Sequence, residues 1–242
     1  MLDKSTFDRD LIVTDVEAKD FALEIANFFD ATFVPLDEEN KIYRIVLKDK
    51  INYLDITNPI NNSLNDDLAR RDLTMNAVAI NLKTFEIIDN FKGIDDINNK
   101  VIKMISEQNF LDDPLRILRV FRFYANFGFK IDEDTLKCIK KHIDLIKRPA
   151  IERINFELMK IFQGRYTVET LLLMDEYGIL EPIFEFVKDL KKVPPNSHHH
   201  LNLFNHCLET VKQCLSKSIS ATVNPQNSDI RSPVLNRINM PS

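Results

Sequence analysis

FLDDPLRILRVFRFYANFGFKI, residues 110 to 131, places an acid pair and a run of arginines on what its spacing predicts to be one helix. Leu111, Leu115, Leu118 and Ala125 recur at helical intervals and can bury one side. Arg116, Arg119 and Arg122 follow at every third position, a slowly rotating basic stripe suited to a triphosphate or an RNA backbone. Asp113 and Arg116 stand three apart and would be neighbours on one helix face. Together they offer an acceptor beside a donor. Cytosine and adenine present the complement, an amino donor next to a ring-nitrogen acceptor, whereas uracil and guanine present the reverse order. The alternative is an ordinary solvated ion pair, which contributes little to stability.

Upstream of this stretch the pattern is mixed. Residues 10 to 15 read as a short buried strand and 16 to 30 as an amphipathic helix. TFVPL (32 to 36), KIYRIVLK (41 to 48) and INYLDIT (51 to 57) have strand composition. LNDDLARRDLTMNAVAINL (64 to 82) begins as a helix, capped by Ser63 or Asn65, and ends as a strand; TFEIIDNF (84 to 91) adds one more. From Asp95 onward the pattern is almost wholly helical, punctuated by Gly128, Pro149, Gly164 and Gly178. The predicted class is therefore α+β, a small mixed-sheet domain followed by an all-α arm.

At 242 residues the chain can bury a real core. No apolar run reaches membrane-spanning length, and the opening MLDKSTFDRD lacks the apolar centre of a signal peptide. Three cysteines, Cys138, Cys207 and Cys214, form no CxxC and point to a reduced, cytoplasmic protein. The net charge of -5 does not favour a polyanion, so any RNA contact must come from a local basic face. Residues 116 to 165, which include Arg153 and Lys160, supply one.

The DDxxR of Asp112, Asp113 and Arg116 resembles the nucleotide-recognition motif of the class II tRNA nucleotidyltransferase and bacterial poly(A) polymerase family. FDRDLIV (7 to 13), NDDLARRDLTMNAVAIN (65 to 81), IIDNFKGIDDINNKVIKMI (87 to 105) and AIERINFELMKIF (150 to 162) agree with that family in order and spacing. The resemblance implies a polymerase-beta-like nucleotidyltransferase head over 1–107, a helical neck for nucleotide selection and RNA binding over 108–165, and the start of a helical body or HD-like extension over 166–217. Residues 218–242, rich in Ser, Asn and Pro, read as a disordered tail.

It also implies template-independent addition of C, A or CCA to the tRNA 3′ end from CTP and ATP, with Mg²⁺ and release of pyrophosphate. Hard Mg²⁺ ions want carboxylate oxygens. Asp8 and Asp10 alternate about Arg9 on a predicted strand, matching the family's DxD, and Asp55 is a candidate third ligand. Arg71, Asp72 and Asn76 would face the nucleotide with Asp113, Arg116, Arg119 and Arg122. The alternative for RRD is a helix-end charge cluster joining head to arm, and Arg70 is equally suited to a structural role. Asp89 and Asp95 read as turn and cap residues.

Two features depart from the family. Its GGxxRD loop has no counterpart, since none of the four glycines precedes Gly93, which reads as an N-terminal truncation or an internal start. A catalytically impaired RNA- or nucleotide-binding remnant is accordingly the alternative, with a poly(A) polymerase or an HD-type phosphohydrolase behind it. PPNSHHHLNLFNHCLETVKQCL resembles the opening of an HD-type extension, with His199, His200 and His206 as candidate ligands, but no HD dipeptide follows.

Overall fold

The structure, a computed structural model, describes residues 8–195 and 201–222, the side chains of Asp8 and of 215–222 excepted. The chain divides into two compact units, Met1–Tyr166 and Thr167–Ser242.

The first unit opens with β1 (Asp8–Ile12), α1 (Ala18–Phe29), β2 (Thr32–Asp37), β3 (Ile42–Val46) and β4 (Tyr53–Thr57). The strands form a sheet in the order β1-β4-β3-β2, with β1 parallel to β4 and the other pairs antiparallel. Alternation along these strands sorts the residues between two faces. Tyr43, Ile45 and Ile56 bury one face against Ala18, Ala22 and Ala26 of α1, where small side chains let the helix lie close to the sheet. The intervening positions define the opposite face, and there Asp10, Asp55 and Arg44 are direct cross-strand neighbours.

The connection to the helical region comprises α2 (Leu64–Ala69), β5 (Ala79–Ile80), β6 (Ile87–Ile88), α3 (Gly93–Asn98) and β7 (Val101–Ile102). Of the two possible caps for α2, Ser63 serves, accepting from Asp66 N at 3.2 Å. Asp89 accepts from the backbone N–H groups of Gly93 and Ile94 at 2.7 and 2.9 Å and so starts α3, while Asp95 lies in that helix's first turn. A side chain at Gly93 would run into the Thr74 carbonyl oxygen, so the close approach there requires glycine.

The single helix expected over 110–131 is in fact two, α4 (Glu107–Asp112) and α5 (Leu115–Phe127). Asp113 between them is extended, with φ -139° and ψ 94°, because the following Pro114 disfavours helical geometry in the residue before it. Asp113 and Arg116 are therefore not neighbours on one helix. α5 does bury its apolar stripe: Ile117, Leu118, Val120, Phe121 and Ala125 are fully enclosed, the large ones each contributing roughly 1.5–3 kcal/mol. Gly128, at φ 64°, ends the helix in the left-handed conformation and turns the chain into β8 (Lys130–Ile131), which pairs in parallel with β7. These short strands interrupt a region whose pattern is otherwise helical. α6 (Glu133–Lys141) and α7 (Ile151–Phe162) complete the unit, with α7 packed along α5.

The second unit holds α8 (Thr167–Glu176), α9 (Leu180–Ile183), α10 (Val187–Lys192) and α11 (Leu203–Thr222). Phe204 and Leu208 bury one side of α11, which packs on α8 and α10. This helix ends at Thr222, and the remainder of the tail expected to be disordered, 223–242, lies outside the described residues. Among the described residues no helix is long and apolar enough to cross a membrane, and Cys138, Cys207 and Cys214 form no disulfide.

Candidate functional site

The end of α2 and the start of α5 meet around two buried carboxylates. Asp67, 1% exposed, accepts from Arg70 Nε and Nη2 at 3.0 and 2.7 Å and lies 3.7 Å from Arg71 Nη2. Asp72, 4% exposed, accepts from Arg119 Nε at 2.5 Å, Asn76 Nδ2 at 2.8 Å and its neighbour Leu73 N at 2.9 Å. Burial alone would raise the Asp72 pKa, but the charge and hydrogen bond of Arg119, with Asn76 and Leu73, outweigh it and hold the carboxyl below its ordinary value. Arg71 Nη1 donates to the Asn76 carbonyl at 3.1 Å. Arg71, Asp72 and Asn76 thus brace one another and Arg119 while also lining the cleft described below.

Asp113 occupies the break between α4 and α5. One carboxylate oxygen accepts from Arg153 Nη2 of α7 at 2.8 Å, and the other accepts from Leu115 N at 3.3 Å, capping α5. Arg116 Nη1 donates to the Asn109 carbonyl at 3.2 Å; Asn109 in turn donates to the carbonyls of Ala69 and Arg71, each at 2.7 Å. Burial lowers the Arg116 pKa, against the opposing charges of Asp72 and Asp113 and with the like charges of Arg119 and Arg70. Arg122 Nη1 donates to Glu157 Oε1 at 2.9 Å, a pair whose side chains are only 12% and 4% exposed. Its pKa is also lowered, by burial first and then by Arg119, with Glu157 and Asp72 opposing.

These groups enclose a cleft of about 630 Å³, lined by six arginines and one lysine against three aspartates, with Leu115 and Phe123 as apolar wall. That volume suits a small-molecule ligand, and the excess of guanidinium suits an anionic one. Asp10, Arg71, Asp72, Asn76, Asp113, Arg116, Arg119 and Arg122 all line it, joined by Arg70, Arg153 and Lys160. Asp112 points elsewhere: it is exposed and accepts from Gln108 Nε2 at 2.7 Å.

Asp55 is not among the lining residues. Although it faces Asp10 across the β1–β4 pairing, both its oxygens are taken by Arg44, whose Nε and Nη2 donate at 2.7 and 2.6 Å. The hard oxygen donors of the Asp8/Asp10 strand fit Mg²⁺ by type; Asp55 could join them by sharing its oxygens between Arg44 and the ion or by exchanging one for the other. Of the histidine cluster, His206 is an exposed residue of α11, and His199 and His200 lie outside the described residues.

Sequence reasoning missed Asp67, Asn109, Glu157 and Phe123. Asp67 was accessible through its i+3 and i+4 spacing to Arg70 and Arg71. Asn109 and Glu157 carried no local signal, since their partners come from distant parts of the chain.

Residues 1–103 match the family described as "Poly A polymerase head domain", and residues 128–191 match "Probable RNA and SrmB- binding site of polymerase A". The chain is 34% identical over 173 residues to the CC-adding tRNA nucleotidyltransferase of Geobacter sulfurreducens, covering 72% of this chain and 40% of that one. It is 29% identical over 188 residues to the A-adding tRNA nucleotidyltransferase of Deinococcus radiodurans, covering 76% and 42%. Among solved structures it resembles the Thermotoga maritima CCA-adding enzyme complexed with tRNA, with a TM-score of 0.69, 30% identity, and coverage of 75% of this chain and 44% of that one. The chain thus spans about two fifths of the length of these curated relatives.

Proposed function

From the chain's membership of the class II tRNA nucleotidyltransferase family, which shares the poly(A) polymerase head domain, we propose that it is a template-independent RNA 3′-end nucleotidyltransferase. Its substrates are CTP, ATP or both, its acceptor is the tRNA 3′ end, and its setting is the cytoplasm. The observation that carries this reading is the basic cleft lined by Asp113 and Arg116 together with Arg71, Arg119, Arg122 and Asp10.

In the reaction, the RNA 3′-hydroxyl oxygen attacks the α-phosphorus. A new phosphodiester bond forms, the bond to the oxygen bridging to the β-phosphate breaks, and pyrophosphate leaves with that electron pair while the hydroxyl proton passes to solvent. Mg²⁺ held by Asp8 and Asp10, with Asp55 once shared with or released by Arg44, would lower the pKa of the 3′-hydroxyl and neutralise charge on the leaving pyrophosphate. Arg71, Arg119 and Arg122 steady the triphosphate; the Asn76 carbonyl holds Arg71, Asp72 holds Arg119 and Glu157 holds Arg122. Asp113 accepts from the exocyclic amino group of C or A, and Arg116 donates to the adjacent ring nitrogen. U and G would set acceptor against acceptor and donor against donor, an unpaired-group cost of about 1–3 kcal/mol for each mismatch.

The test is incorporation of labelled CTP and ATP, separately and together, onto tRNA lacking its CCA end, with Mg²⁺. Addition of C, A or both identifies the type of enzyme. Arg116→Ala should relax the choice against UTP and GTP more than it weakens triphosphate binding, and unchanged selectivity would sink the base-reading assignment. A second reading, binding without turnover, is favoured by Arg44 occupying both oxygens of Asp55. It predicts saturable binding of CTP or ATP with no incorporation.

A further inference from the structure

Away from the cleft, Glu107, Cys138 and His142 bring a carboxylate oxygen, a thiol sulfur and an imidazole nitrogen to within 4.8 Å of one another. Two sequence features build this convergence. The Ser106 side chain accepts from Asn109 N at 3.3 Å and caps α4, which makes Glu107 its first residue. Cys138 on α6 and His142 at that helix's C-cap are four apart, the interval that aligns two ligands on one helix face. The Cys138 thiol is enclosed at 5% exposure, whereas the Glu107 side chain is 42% exposed and leaves the cluster open on one side.

A plain ion-pair reading covers part of this. His142 Nε2 lies 2.6 Å from Glu107 Oε1, and Lys141 Nζ lies 2.8 Å from the same oxygen. It gives no role to the thiol, the donor that distinguishes this cluster from a surface salt bridge. Lys141 is 66% exposed and can withdraw its ammonium into water when a cation takes its place.

We propose that Glu107, Cys138 and His142 form a zinc-binding site, separate from the aspartates assigned to Mg²⁺. One sulfur, one nitrogen and one oxygen donor match the borderline-soft preference of Zn²⁺ and are wrong for Mg²⁺, which takes oxygen. A thiolate and a carboxylate together neutralise the ion, with the imidazole neutral and the thiol proton released on binding. Three protein ligands leave a fourth position for water. The ion would tie α6 to the first residue of α4, whose C-cap is Asp113, and so would steady the segment that presents that carboxylate to the cleft.

The test uses the full 242-residue chain and Co²⁺ as a spectroscopic stand-in for Zn²⁺. One equivalent should produce the thiolate-to-cobalt charge-transfer band, and Zn²⁺ should displace it. The band should be absent in Cys138→Ser and present in a Cys207→Ser/Cys214→Ser double variant. Glu107→Gln and His142→Gln should weaken zinc binding at least as much as loss of an outer-shell partner does, about 10–100-fold. Should Cys138→Ser fail to fold, the half-exposed Glu107→Gln carries the same comparison. A wild-type chain without the band at one equivalent, or a band that disappears with Cys207 and Cys214 instead, would overturn the proposal.

Discussion

Replacing Asp72 with Asn tests whether the motif after α2 is a structural tie as well as a wall of the cleft. Asp72 is 4% exposed and receives three donors, Arg119 Nε, Asn76 Nδ2 and Leu73 N. Asn keeps the shape but only one acceptor oxygen, so its amide N–H₂ must face the donor of either Arg119 or Asn76. Loss of a charge-assisted hydrogen bond costs about 1.5–3 kcal/mol, and stripping a fully buried ion pair about 3–5 kcal/mol. The Arg119 side chain is 33% exposed, so water can re-solvate its guanidinium and the lower end applies, about 2 kcal/mol. For a chain of this size that corresponds to roughly 4–8 °C in Tm. Urea unfolding followed by far-ultraviolet circular dichroism at pH 7 measures the difference. The sign with pH follows from the lowered Asp72 pKa: its stabilisation is complete above the ordinary carboxylate pKa and is lost as pH falls through the depressed folded value. The gap between wild type and Asp72→Asn should therefore stay level from pH 7 to about 5 and narrow below about 4. A difference under about 0.5 kcal/mol at pH 7, the scatter expected of an ordinary surface substitution, would refute the reasoning.

Gly128→Ala forces a left-handed residue at φ 64° and drives a methyl to 2.7 Å from the Tyr166 ring, so a loss of about 2 kcal/mol or more is expected in the same unfolding assay. Glu157→Gln strands the enclosed Arg122 guanidinium and should cost about 3–5 kcal/mol, most of it recovered in the double variant Glu157→Leu/Arg122→Met. Ile117→Ala, at a fully buried position, should cost about 2–5 kcal/mol by chemical denaturation. In tRNA binding measured across a salt series, Arg153→Ala should lower the slope of log affinity against log salt by about one unit if that guanidinium also meets phosphate.

What could be read from the chain beforehand divides by the range of the interactions. The arginine stripe of α5, its apolar side and a cap for α2 at Ser63 or Asn65 follow from spacings within a turn or two and were legible, the structure choosing Ser63. Pro114 was legible too, yet the attraction of a helical Asp113/Arg116 spacing hid the break it imposes. The pairing of β7 with β8 spans two residues a side, too few for a period-2 pattern to show. Arg44 on Asp55 depends on the register of β3 against β4, and Arg153 on Asp113 on the packing of α7, neither of which local pattern specifies. The cluster of Glu107, Cys138 and His142 is invisible for the same reason: α6 must first fold back beside α4.

The interruption at Asp113 also bears on how this site can change over generations. A residue inside a helix is judged on propensity and neighbours along a whole turn, whereas Asp113 answers to two local demands, an extended backbone before Pro114 and an acceptor for Leu115 N. Asp, Asn, Ser and Thr meet both. On the base-reading role proposed for Asp113, substitutions among these four would alter what the cleft prefers while leaving the helices on either side intact, so ligand preference would drift there at little cost to folding. Longer acidic or amide side chains forfeit the cap, which confines that drift to a small, nameable set of neighbours in sequence space.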